Sequence, residues 1–114
     1  MNNIQNADRT ACIRTLNNQL RKTGVGGRTV LTARISQLPA EELAAVLRGV
    51  ANFDQFTERN DPYGEGDCAL FEVGGHQVLW KIDYFTPDLD GHSENPADPY
   101  VTNRVLTIML AGEY

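Results

Sequence analysis

Residues 67–85 read DCALFEVGGHQVLWKIDYF, two alternating runs joined by Gly74-Gly75. A Gly-Gly pair readily takes the positive φ angles of a two-residue β-hairpin turn. Such a turn sets the register: Val73 faces His76, Phe71 faces Val78, Ala69 faces Trp80 and Asp67 faces Ile82. One face then carries Ala69, Phe71, Val73, Val78, Trp80, Ile82 and Tyr84. The other carries Cys68, Leu70, Glu72, Gln77, Leu79, Lys81 and Asp83. A slip of one residue would turn Trp80 and Phe71 onto the mixed face, so this register is strongly specified.

Upstream of the hairpin, residues 1–7 read as a loose start. Asp8 then reads as the cap of a helix running to about Thr23, with Cys12, Ile13, Leu16 and Leu20 on one face. Arg21 and Lys22 suit its negative end, and Gly24 its stop. The Gly24-Val25-Gly26-Gly27 run lacks the Lys-Ser/Thr ending of a phosphate loop and follows a helix, so it reads as a turn. Arg28 to Ile35 alternates like a half-buried strand. Pro39, Glu41 and Glu42 open a second helix with an apolar stripe of Leu43, Val46, Leu47 and Val50. Phe53 and Phe56 extend that stripe or cap the core after it.

Residues 54–67 form a polar connection into the hairpin, and TPDLDGHSENPADP at 86–99 forms an acidic, proline-broken loop after it. Asp98-Pro99 reads as the start of a last helix carrying Val101, Val105, Leu106, Ile108, Met109 and Leu110 onto the Trp80 face. The order α-β-α-β-β-α predicts an α+β fold. A three-stranded, mainly antiparallel sheet around the central β-hairpin would hold three helices on one face. Residues 1–114 form a single small acidic domain on this reading.

A hydrophobic content of 41% with 22% charged residues excludes a disordered chain. No apolar run is long enough to span a membrane, and the N-terminus lacks a signal-peptide pattern. A cytoplasmic protein is therefore expected. In that compartment Cys12 and Cys68 read as buried small side chains, not a disulfide.

Charge is divided unevenly. Residues 1–50 hold seven Lys and Arg against three acids, whereas residues 51–114 hold three against twelve. An acidic half of −9 argues against direct binding to nucleic-acid phosphates. It suits a hard cation or a basic protein partner. The acids gather beside the hairpin's open end: Asp61, Glu65 and Asp67 before it, and Asp83, Asp88, Asp90 and Glu94 after it. Carboxylates at a strand end can hold Mg²⁺ or Ca²⁺, or form an acid and base pair if burial separates their pKa values.

Asp88-Leu89-Asp90-Gly91 matches only part of a calcium loop and follows a strand, so it reads as a turn. His92 lies near Asp88 and Asp90, which makes these three the metal candidates. His76 reads as an exposed turn residue. No Ser-His-Asp or Cys-His set has a supporting local context, and Lys81-x-Asp83 reverses the order of a nuclease acid-x-Lys strand.

Four stretches together resemble a bacterial family, the domain-of-unknown-function family numbered 3768. They are GGRTVLTARISQLP at 26–39, FTERNDPYGEGD at 56–67, FEVGGHQVLWKIDYF at 71–85 and ENPADPYVTNRVLTIMLAGEY at 94–114. The chain departs from the family pattern at Gly66, where His is common, and at Cys68, where Phe is common. Both departures weaken a metal site centred there. The resemblance implies a small standalone protein of proteobacteria, of a kind often carried on plasmids and other mobile elements. It implies no activity, but that setting suggests an accessory or anti-defence role.

These readings converge on a noncatalytic protein-binding module without a cofactor. Its acidic surface would mimic nucleic acid and engage a basic protein or a nucleic-acid-binding complex. A metal-dependent hydrolase using the loop acids with His92 is the alternative. A structural homo-oligomer, such as a homodimer joined through Leu70 and Leu79 on the mixed face, is a third.

Overall fold

The computed structural model describes residues 3–114, with side chains from residue 7 onward. Helix α1 spans Asn3–Thr23, β1 Arg28–Leu31, α2 Ala33–Ser36, α3 Ala40–Asn52, β2 Cys68–Val73, β3 His76–Phe85 and β4 Asn103–Leu110. A short 3₁₀ turn, Ala111–Glu113, follows. The α+β class agrees with the sequence reading, but the sheet has four strands and is mixed. Its order is β1-β4-β3-β2, with β1 parallel to β4 and the other pairs antiparallel.

The hairpin takes the register set by its turn. Val73 faces His76, Phe71 faces Val78 and Ala69 faces Trp80, and both turn glycines have positive φ. Asp67 lies just beyond the strand, where its carbonyl accepts the Ile82 N–H at 2.7 Å. Trp80, Val78, Ile82 and Tyr84 are buried on one face, as the alternation requires.

The last element is a strand, not a helix. Asn103–Leu110 pairs with β3 on one side and β1 on the other, so Trp80 lies beside Ile108 within the sheet. In NRVLTIML, Arg104, Leu106 and Ile108 alternate into the core. Met109, on the opposite face, is buried as well, which blurs the period. A run apolar at nearly every position fits a central strand or a buried helix, and pairing on both sides selects the strand. Asp98 does not cap a helix; its carboxylate accepts the Tyr100 N–H in a turn.

The expected strand over Arg28–Ile35 stops at Leu31. Thr32 accepts the Ser36 N–H, and the chain turns into α2, which carries Ile35 fully into the core. Gly27 leads into β1 so close to β4 that a Cβ there would lie 2.4 Å from the Arg104 carbonyl oxygen. The loose start expected for residues 1–7 is helical from Asn3, and residues 1 and 2 lie outside the described residues. Asp8 consequently sits inside α1 and does not cap it.

The helices α1 and α3 cover one face of the sheet. The buried stripe of α1 is Ile13, Asn17, Leu20 and Arg21, and α3 adds Val46 and Val50. Phe53 and Phe56 follow α3 and meet the Trp80 ring edge-on, with centroids 6.1 and 6.0 Å away. They close the core where α3 ends. Both cysteines are free; Cys12 is exposed and Cys68 half-buried, contrary to the expectation of two buried side chains. His76 is also not a free turn residue: its Nε2 lies 2.5 Å from Glu42 Oε1 and ties the hairpin tip to α3. Among the described residues no helix is long and apolar enough to cross a membrane.

Candidate acidic interface

The open end of the hairpin gathers Asp61, Glu65, Asp67 and Asp83, as the register implies. Both oxygens of Asp61 lie 3.1 Å from the Gly66 N–H, which closes the turn before β2. Arg14 donates to the Gly64 carbonyl at 2.8 Å and Asn17 to the Glu65 carbonyl at 3.1 Å, so α1 holds this loop in place. The Glu65 carboxylate accepts the Tyr84 hydroxyl at 2.8 Å. Asp83 pairs with Lys81 on the same strand face.

Asp67 lies among these acids with its side chain partly buried. Burial pushes its carboxyl above the ordinary range, and the negative charges of Glu65, Asp61 and Asp83 push it further. Burial also raises the Cys68 thiol, again with help from Asp67 and Asp61. That thiol is held protonated and is a poor nucleophile.

The second acidic loop is built differently. Asp88 accepts the Thr86 hydroxyl at 2.6 Å and the Asp90 N–H at 3.1 Å, which hold its carboxyl below its ordinary value. The Thr86 hydroxyl oxygen in turn accepts the N–H groups of Asp90 and Gly91. Leu89 takes φ +63° at the tip. These bonds make a self-capped turn beside a surface cleft of about 440 Å³ lined by Thr86, Pro87, Asp88, Asp90 and Gly91.

His92 turns away to the Ser93 carbonyl, 2.9 Å from its Nδ1, and sets its ring edge-on to Tyr84. Among the described residues no three His, Cys, Asp or Glu side chains form a group able to hold a metal ion, Asp88, Asp90 and His92 included. Glu94 is exposed further along the same loop. The charges acting on Asp67 come from Glu65, Asp61 and Asp83, not from this second loop.

Behind the first cluster lies a buried polar network that the residue pattern did not announce. Arg104 is 1% exposed, and it has no carboxylate within salt-bridge distance among the described residues. Its Nε donates to Asn17 Oδ1 at 2.7 Å, a terminal nitrogen donates to the Pro96 carbonyl at 2.5 Å, and the guanidinium stacks 5.0 Å from the Tyr84 ring centre. Asn17 also donates to the Tyr84 hydroxyl at 2.8 Å. The Tyr84 hydroxyl therefore passes a hydrogen bond from Asn17 on to Glu65.

Burial raises the Tyr84 hydroxyl far above its ordinary value, against the opposing Asn17 bond and with the Glu65 charge adding to the rise. Burial likewise lowers the Arg104 guanidinium. This arrangement positions Glu65 from behind, through the Tyr84 hydroxyl and the Asn17 carboxamide. The available signal was the place of Arg104 in the inward row of an alternating run, which is visible only once that run is read as a strand.

The model of the family described as Protein of unknown function (DUF3768) matches residues 31–113. The chain belongs to that family. The match contains Glu65, Tyr84 and Arg104 of the network, while Asn17 on α1 precedes it. No curated protein and no solved structure matches the chain.

Proposed function

We propose that this family member is a noncatalytic binding module, acting in the cytoplasm, whose acidic edge engages a basic protein. The reading is supported above all by the half-buried Asp67, whose carboxyl is raised by burial and by three like-charged neighbours. Like charges gathered by hydrogen-bonded loops, with Lys81 on Asp83 as their one ion pair among the described residues, repel one another and become favourable against a cationic surface. The fitting partner is a nucleic-acid-binding protein, such as a nuclease complex, in whose channel the carboxylates stand where phosphates would. Inhibition of such a complex is the corresponding anti-defence role.

The test combines Asp67→Lys with Asp83→Lys and measures binding to a panel of basic nucleic-acid-binding complexes over a salt series. Circular dichroism establishes that the fold is kept. Affinity that falls with salt and disappears on charge reversal is expected. Salt-independent binding, or none to any such complex, refutes the reading.

A further inference from the structure

We propose that the free edge of β2 pairs with the same edge of a second copy, joining two sheets into one of eight strands. This inference stands apart from the acidic interface. β2 is an outer strand of the sheet. The Ile82 N–H bond to the Asp67 carbonyl shows which residues turn inward. Opposed residues in an antiparallel ladder alternate between hydrogen-bonded and non-bonded pairs. Ala69, Phe71 and Val73 therefore bond to β3, while Cys68, Leu70 and Glu72 point their N–H and C=O groups away from the sheet. Among the described residues none of these outward groups has a backbone partner.

The strand contains no proline, no lysine and no bulge, Glu72 is its one charged residue, and Leu70 is 59% exposed. A second copy is the occupant because the strand complements itself in one register. With Leu70 opposite Leu70 of the other copy, Cys68 falls opposite Glu72, and all six outward N–H groups of the two strands find carbonyls. A shift of the two-fold centre to residue 69 or 71 would pair an outward residue with Gly66 or Gly74, outside the strand.

Side chains agree with this register on both faces. On the face opposite α1 and α3, Met109, Leu79 and Leu70 already lie in one row across β4, β3 and β2, and the row continues into the second Leu70 and its neighbours. Glu72 of one copy joins the row of Cys68 and Lys81 of the other, bringing a second carboxylate toward the ammonium that Asp83 already holds. On the core face Phe71 stands beside the small Ala69 of the other copy. A groove of about 390 Å³ adjoins Phe71 and Glu72, with Gly49, Phe53 and Asp54 among its other walls.

Sedimentation of the full chain over a concentration series tests the proposal. A monomer–dimer equilibrium is expected. Leu70→Pro removes an N–H that points away from β3, so the hairpin bonds survive while two bonds of the dimer are lost. Its dissociation constant should rise about tenfold or more. Glu72→Lys, which faces Lys81 of the other copy, should weaken the dimer without touching β2–β3 pairing. Leu70→Cys should cross-link the dimer under oxidation, because bonded antiparallel pairs have Cα atoms about 5.5 Å apart, within disulfide reach. A chain that stays monomeric at every concentration overturns the proposal. So does a dimer that neither Leu70→Pro nor Glu72→Lys weakens and that Leu70→Cys does not link.

Discussion

Replacing Asn17 by alanine should be among the most damaging polar substitutions in this protein. Asn17 is fully buried, and its carboxamide meets Arg104, Tyr84 and the Glu65 carbonyl. Alanine removes both ends at once. The Arg104 Nε–H is left in the interior without its acceptor, and the Glu65 carbonyl and Tyr84 hydroxyl each lose a donor. A buried polar group stripped of its partner costs about 1–3 kcal/mol, and a charged one more. Allowing for relaxation around the small cavity, Asn17→Ala should lower stability by about 3–5 kcal/mol.

At roughly 0.05–0.15 kcal/mol per residue, a chain of this length holds about 6–17 kcal/mol in all. The loss would remove a large share of it. Tyr84→Phe provides the scale. It deletes one hydroxyl while Asn17 keeps Arg104 and the Glu65 carbonyl, so about 1–2 kcal/mol is expected. Urea unfolding followed by fluorescence of Trp80, the only tryptophan, measures both variants. A loss below about 1 kcal/mol for Asn17→Ala, or one no larger than that of Tyr84→Phe, would refute the claim that this network holds α1 to the sheet.

Three further outcomes follow from single contacts. Gly27→Ala places a methyl 2.4 Å from the Arg104 carbonyl oxygen and 2.9 Å from Leu20, and should cost about 1–3 kcal/mol by displacing β1. Gly91→Ala, which meets open space, should leave the thermal midpoint unchanged, and equal shifts for the two would dismiss the close approach. The Asp67 carboxyl is raised above its ordinary 3.8 in the folded chain, so the folded state binds that proton more tightly than the unfolded one. Its ionisation opposes folding progressively as the pH rises from 3.8 to the folded value, in full above that value, and not at all below 3.8. Asp67→Asn should therefore raise the urea midpoint at neutral pH, and the gain should fade on acidification; a lowered midpoint at pH 7 would contradict the sign. Finally, the exposed Cys12 should react with iodoacetamide well before Cys68, whose thiol burial holds protonated. Mass spectrometry of partly labelled protein reads the order directly.

The central hairpin is legible from residues alone because its determinants are local. A Gly-Gly turn and a two-residue alternation leave one register that buries Trp80. The helix ending at Thr23 and the helix opening after Pro39 are local in the same sense, marked by cap, charge and breaker residues. Loop acids beside the hairpin's open end could be placed too, since the register carries Glu65 to Tyr84 and Asp67 to Ile82.

Other features rest on partners distant in sequence. The run at 103–110 is a strand because β1 and β3 flank it, and no feature within those eight residues excludes a helix. Thr32 ends β1 where the chain must turn to bring Ile35 inside. Asn17 and Arg104 look like solvent-facing polar residues until the fold places them against each other, 87 positions apart. Alternation and turn chemistry are written in neighbouring residues, so the chain by itself determined the hairpin and its acidic end. Burial of a guanidinium and the choice of strand over helix depend on what packs alongside, and only the tertiary structure decided those.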